Sequence, residues 1–504
     1  MKKLLFGALV IAAATFAATP CGAQTLDMDP LPVEKVSADS LMKHIVELGS
    51  EYYEGRLAAT RGHERALRYA SRVMEGYGLK DIELQQFPIE CNEVESAVFD
   101  VYTPGSKEKR TFTLGNEFCC AGMTGRGYVD AQMVFVGYGV SHSAYDEYKG
   151  VDAQGKIVVV LTGLPEWLPA SVGEHFVTLR DKARVAERHG AIGLLAVNTS
   201  AGCLPTEVQA RVYCGELPHM GTFPMLQLTL DCGRELLTTE REDLDAAMAG
   251  IASERKPHSF ALFKHAAVDV NTRYRADAPT YNLLGMIEGS DRTMKNEIVV
   301  VGASLDGAGL QGETCLFPSA DVNASGVAAV LETARILSLA PYRPKRSILF
   351  VLFSGGQQQW RGSRAFLLGY DKLKHVEAFV NVQNVGSGDS LMVLGDGSYP
   401  ALWQVARSHD TMPSRRLMAL PLEKTSPRGD ARAFDQMRIP SIVITTKGGL
   451  RHNNVPSDIW ENIDSDILAK AARLTMETVA ELSDGRYQGR SPQSKGYRYG
   501  LIEY

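Results

Sequence analysis

Three short stretches hold residues whose types and placement bear on chemistry: 304–306, 321–323 and 355–358. They follow two apolar runs, 298–302 and 348–353, and the loop that leads into the helical pattern between those runs. In open α/β sheets, ligands and reacting groups collect outside the carboxyl ends of the strands. Hydrolysis at such a place takes a nucleophile with its base, or a metal that activates water. Ser304 stands in GASLD rather than in a GxSxG elbow, and spacing places no histidine beside it, so a serine hydrolase is not indicated. Zinc asks for imidazole, carboxylate or thiolate. Within these stretches only Asp306 and Asp321 are of that kind. Cys119-Cys120 reads as a buried or bonded pair rather than a nucleophile. Arg428-Gly429-Asp430 spells an adhesion tripeptide, which we read as coincidence.

The elements that must position these residues follow from periodicity. Val327, Val330, Leu331 and Ala334 recur at i, i+3, i+4, i+7 and predict a helix with one buried face. The flanking runs are short and apolar throughout, which suits parallel strands covered on both faces. The expected unit is β-α-β. Upstream, helices are expected from Ser40 and over 62–75, then strands over 82–87 and 97–102. From 127 to 250 the pattern changes to VDAQMVFVGYGV, GKIVVVLTG, a helix over 179–190, a strand over 191–197 and PMLQLTL. Gly137-Tyr138-Gly139 lacks the third glycine and the following helix of a dinucleotide loop, so it reads as a turn. After about 268 the α/β alternation returns, and a final helix is expected over 466–482.

Composition bounds the class. With 504 residues, 45% hydrophobic and 22% charged, the chain is globular and longer than one typical domain. A net charge of −6 gives no support for a nucleic-acid partner. Lys2 and Lys3 precede an apolar run that ends near Cys21-Gly22-Ala23, the pattern of an export signal. The expected location is periplasmic or extracellular, with lipoprotein anchoring the less favoured alternative and no transmembrane segment. The expected division is 1–23 signal, 24–126 first part of the main domain, 127–250 an insertion, 251–484 the main domain and 485–504 an extension. Cys203 and Cys214 could close a loop, and no CxxC pair suggests structural zinc.

The ordered segments EGRLAATRG, VFVGYGV…GKIVVV, EIVVVGASLDG, SADVNASGVAAVLETARIL, FVLFSGGQQQWRGSRAFL, GDARAFDQMRIPSIVI and NNVPSDIWENID resemble the co-catalytic di-zinc aminopeptidase family. Glutamate carboxypeptidase, the transferrin receptor and glutaminyl cyclase are its relatives. The resemblance implies an α/β fold with a mostly parallel mixed sheet flanked by helices, and a β-rich protease-associated-like insertion. It also implies two zinc ions held by histidines and carboxylates, with a glutamate as general base.

At the positions the resemblance assigns to those groups, the chain carries Ser304, Val322, Gly356 (the base), Gln357, Gln383 and Asn454. None is charged, and Val322 and Gly356 offer no side-chain donor atom. The surrounding pattern is kept at Asp306, Asp321, Asn323, Asp430 and Asp458. These departures, taken with the export signal, lead us to expect an exported, catalytically inactive relative that needs no cofactor and acts by binding a peptide or protein. Oligomer formation or pairing with an active paralogue fits the same reading. The alternative is an active zinc aminopeptidase with non-standard ligands, the weakest form of which is a mononuclear site of Asp306, Asp321 and His452. Trp360 and Arg361 are expected to fill or line the emptied cleft.

Overall fold

The computed structural model describes residues 36–173, 175–199, 218–339, 342–410, 428–449 and 454–489. The expected signal 1–23, Cys203, Cys214, His452 and residues beyond 489 lie outside the described residues. The chain enters through α1 (Ala38–Leu48), capped by the Ser37 side chain, which accepts from the Ser40 N–H. Leu41, Ile45 and Leu48 form its buried stripe. A short 3-10 turn at Glu51–Arg56 leads to α2 (Arg61–Gly76).

The two strands expected next are one long strand, β1 (Lys80–Tyr102), with register shifts between Lys80 and Glu83, Ile89 and Cys91, and Val94 and Ser96. Four parallel strands follow: β2 (Gly127–Phe135), β3 (Ile157–Leu161), β4 (Gly193–Val197) and β5 (Met225–Leu228). Side-chain alternation along them builds two apolar layers. Val134, Val158, Val160 and Leu194 pack against α3 (Leu179–Arg188). Met133, Phe135, Ile157 and Val159 pack with Phe99, Val268 and the helices α4 (Leu230–Leu237) and α5 (Leu244–Glu254). The stretch 127–250 thus shares one face of its core with the strands before and after it.

β6 (Phe260–Ile287) runs 28 residues and pairs antiparallel with β1, then with β2 at its start and with the later sheet at its end. The predicted β-α-β unit is present as β7 (Ile298–Ser304), α6 (Ser325–Leu339) and β8 (Ser347–Phe353), with β7 and β8 parallel from Ile298↔Ser347 to Ser304↔Phe353. Every residue of β7 and β8 is buried. Each buried Val, Leu, Ile or Phe there contributes about 1.5–3 kcal/mol relative to exposure. Val327, Val330, Leu331 and Ala334 are fully buried, as their spacing predicts. There follow α7 (Arg361–Gly369), β9 (Val376–Val382), β10 (Ser390–Leu394), a helix over Pro400–Ser408, α8 (Asp430–Gln436), β11 (Ser441–Lys447) and α9 (Ser465–Ser483).

The sheet order is β10-β11-β9-β7-β8-β6-β2-β3-β4-β5, ending on the short strand Phe118–Cys120, within a sheet of 13 strands. It is a mixed sheet flanked by helices. β7, β8, β9 and β11 are mutually parallel where they pair, while β6 meets both of its neighbours on this path antiparallel. Among the described residues no helix is long and apolar enough to cross a membrane.

Candidate functional site

Four chain segments converge at the carboxyl ends of the parallel strands. β7 delivers Ser304 and Asp306, and the loop after β8 delivers Gly356 through Trp360. The irregular turn Ala320–Ala324 before α6 delivers Val322 and Asn323, and the end of β9 delivers Gln383 and Asn384. Together they line one cavity of about 450 Å³, whose far wall is Met123, Thr178 and Arg180. Asn454 joins the floor through its amide, which donates to Gln357 Oε1 at 3.1 Å. The six positions that the resemblance assigned to metal ligands and base therefore meet at one place. Trp360 lines the cavity as expected, whereas Arg361 is not among the lining residues.

Several polar atoms on this floor are already engaged. Ser304 Oγ donates to Asp430 Oδ2 at 2.7 Å. Asp306 accepts the backbone N–H of Gly356 at 2.9 Å through Oδ1 and that of Gln357 at 3.4 Å through Oδ2. Burial pushes Asp306 up to about 7 against those hydrogen bonds, and the nearby Asp430 adds to the rise. Burial likewise pushes Asp430 up to about 6, opposed by its bond from Ser304. Asp430 Oδ1 has no hydrogen-bond partner.

Asp458 accepts the N–H groups of Asp321 at 2.7 Å and Val322 at 3.1 Å, which fixes the turn before α6. Burial pushes it up to about 7. The Asp321 carboxylate faces a different turn, accepting Gly386 N–H at 2.7 Å and the Ser325 and Ser387 hydroxyls. Asn323 donates to Ser304 O and Val382 O and accepts from Asn384 N–H, tying three of the converging segments together. Asp321 is thus not brought to Asp306, and His452 lies outside the described residues.

Gly356 is tightly enclosed. A Cβ there would stand 2.4 Å from Ser304 Oγ and 2.8 Å from Ser304 Cβ. Gly429, at φ +62°, is equally close to Gln383, whose amide would meet a Cβ at 2.2 Å. Beneath the floor, Arg56 is fully buried and donates to the carbonyls of Leu48, Leu305, Pro318 and Ser319.

Met123, Thr178, Arg180 and Asn384 were not singled out from the sequence, and Gln358 was included only as the end of the stretch 355–358. The first three arrive from more than 120 residues away, and no spacing rule links them to β7. Gln358 was adjacent to an assigned position, and its full burial was the missing signal.

The donor set does not fit a pair of zinc ions. Among the described residues Asp306 is the one carboxylate lining the cavity, each of its oxygens already accepts a backbone N–H, and the amide carbonyls beside it suit hard ions better than zinc. Among the described residues no group of three or more His, Cys, Asp or Glu side chains is placed to hold a metal.

Residues 282–479 match the model of peptidase family M28. That segment is similar to members of that family. It contains β7, α6, β8 and every residue of the floor. Over the wider chain the fold is similar to that of a zinc aminopeptidase from Bacillus subtilis, with a TM-score of 0.64, 20% identity, and coverage of 90% of this chain and 95% of that one. It is also similar to a peptidase M28 precursor from Shewanella amazonensis, with a TM-score of 0.65, 15% identity, and coverage of 91% and 96%. By sequence, 125 residues are 34% identical to human transferrin receptor protein 2, covering 24% of this chain and 14% of the receptor's length. The M28-like architecture is therefore shared with aminopeptidases by shape and with a receptor by sequence.

Proposed function

We propose that this M28-like chain is a non-catalytic member of its fold that acts by binding a peptide or protein at the cavity below Trp360. One observation carries the reading: Ser304, Val322, Gly356, Gln357, Gln383 and Asn454, all uncharged, converge where the resemblance puts the ligands and base of a di-zinc site. Two dications need anionic ligands to offset their desolvation. Among the described residues the lining offers one carboxylate, which accepts two backbone N–H groups. What remains is a walled, amide-lined cavity of a size that takes a small ligand or a chain end. A relative named as a transferrin receptor is consistent with a binding role on this fold. Export is part of the proposal and rests on residues 1–23; sequencing the N-terminus of the mature protein tests it.

The deciding experiment measures the metal content of the purified chain and its turnover of an aminoacyl-anilide panel. The expected result is substoichiometric zinc and no chelator-sensitive hydrolysis. Stoichiometric zinc with chelator-sensitive turnover overturns the reading in favour of an active enzyme with substitute ligands.

A further inference from the structure

We propose that a neutral sugar ring is what enters the cavity, so that the peptide or protein bound here is a glycosylated one. The inference rests on the non-catalytic binding reading and names the chemical group that the cavity selects.

The open polar atoms are the first argument. Gln357, Gln383 and Asn384 line the cavity, and each is half-buried. Gln357 spends Oε1 on the Asn454 amide and keeps Nε2. Among the described residues, no hydrogen bond engages Gln357 Nε2 or the side-chain amides of Gln383 and Asn384, and none of these atoms is sealed from solvent. They differ in this from Gln358 Oε1 and Asn454 Oδ1, which are closed off and meet no ligand. The three open side chains together present three NH2 groups and two carbonyl oxygens, all uncharged. A charged ligand group would give up its hydration for these amides and for Asp306, whose oxygens each already accept a backbone N–H, and a buried charge without a partner is costly. A single peptide unit has one N–H and one C=O. A sugar ring carries several hydroxyls, each both donor and acceptor, and answers several amides at once.

The aromatic wall is the second argument. Trp360 has φ +57°, a left-handed conformation uncommon for a bulky side chain. Its carbonyl is held by the Ser363 hydroxyl at 3.0 Å and by Arg364 N–H at 3.2 Å. The main chain thus fixes the half-buried ring on the lining before a ligand arrives. A sugar ring has C–H groups on its faces and hydroxyls round its rim. The faces suit an aromatic surface and the rim suits amides. Size is the third argument. A cavity of about 450 Å³ takes a small ligand rather than a folded partner, so the sugar enters and the chain that carries it stays outside.

The test immobilises the full chain and passes over it one hexapeptide-amide library made twice. A central serine is bare in one version and carries an O-linked hexose or N-acetylhexosamine in the other. Retained peptides are identified by mass spectrometry, and matched pairs are titrated calorimetrically with and without free maltose, cellobiose, lactose and chitobiose. The expected result is that glycosylated members bind at least roughly tenfold tighter than their bare twins, and that one of the free disaccharides displaces them. Trp360→Ala, and Gln383→Met, which keeps the length and removes both polar atoms, are each expected to cut that preference at least roughly threefold. Thermal unfolding shows that each variant is folded. Equal binding of bare and glycosylated twins overturns the inference and leaves the peptide-binding reading intact. A disaccharide that binds as tightly as any glycopeptide keeps the inference and removes the peptide from the reading. Retention of neither library, with no disaccharide binding, overturns both. A preference untouched in both folded variants overturns the cavity as the seat of the sugar.

Discussion

Ser304 Oγ donates to Asp430 Oδ2 at 2.7 Å, across 126 residues of chain, where the resemblance would have a metal-binding imidazole. The hydroxyl is directed at Asp430. Asp430 is fully buried and its other oxygen has no partner. Ser304→Ala removes the 2.7 Å hydrogen bond to Asp430 Oδ2 and leaves Ser363 as the other side-chain hydroxyl that lowers the Asp430 pKa. The expected cost is about 1–3 kcal/mol, that of a buried polar group left unsatisfied. Urea unfolding at pH 7 measures it. The loss shrinks at pH 5, because Asp430, with its pKa raised to about 6, then takes up a proton.

Asp306 gives a pH signature of its own. Its carboxyl is raised from 3.8 to about 7 by burial, so the folded state binds this proton more tightly than the unfolded state. The resulting stabilisation is complete below about pH 4 and is lost as pH rises through 7. Asp306→Asn cannot titrate. Relative to Asp306→Asn, the unaltered chain is expected to lose on the order of 2–4 kcal/mol between pH 4 and 8. Denaturant titrations of both proteins at several pH values read this difference. A difference that grows in the opposite direction would mean that Asp306 is held ionised.

The β-α-β unit was legible because seven-residue runs of Val, Ile, Leu and Phe admit few environments, and because Val327, Val330, Leu331 and Ala334 define one helix face. The convergence of Ser304, Val322, Gly356, Gln357 and Gln383 was legible through the resemblance, which fixes each at a strand or loop end. The 28-residue β6 was not legible. Its first half packs in one core and its second half in another, so no single alternation runs its length. The bond of Ser304 to Asp430 was also hidden, since a hydroxyl facing a buried acid leaves no periodic trace. Thr178 and Arg180 on the far wall depend on how the stretch 127–250 folds back, which is a tertiary fact.

Arg56 supports the floor from beneath. It is fully buried and its guanidinium serves four carbonyls, two of which belong to Pro318 and Ser319, just before the turn that carries Val322. Burial lowers it to about 10, which leaves it charged at neutral pH; Asp458 and Asp306 oppose that lowering. Arg56→Met fills similar space but strands those carbonyls. At about 1–3 kcal/mol for each unsatisfied buried group, the expected loss exceeds about 3 kcal/mol. Thermal unfolding of the variant measures it. Arg56→Lys is expected to recover part of the loss, because one ammonium cannot reach all the acceptors of a planar fork.

Gly356 decides whether the lost base can be restored by one substitution. The resemblance places a glutamate there, and a simple revertant would be Gly356→Glu. Its Cβ would stand 2.4 Å from Ser304 Oγ and 2.8 Å from Ser304 Cβ, inside the distance that real side chains allow. The loop must move or the β7 end must yield. Moving the loop also breaks the 2.9 Å hydrogen bond from Gly356 N–H to Asp306 Oδ1, exposing a buried carboxyl without its partner. Overpacking of this kind costs about 1–3 kcal/mol. The expected outcome is a lowered melting temperature and no gain of aminoacyl-anilide hydrolysis, with or without added zinc. Combining Gly356→Glu with Ser304→Gly removes both clashing atoms and is expected to recover part of the overpacking loss without restoring turnover, because Val322, Gln357, Gln383 and Asn454 still offer zinc no anionic side chain. Turnover in the single variant would mean that the loop after β8 is far more compliant than its contacts imply.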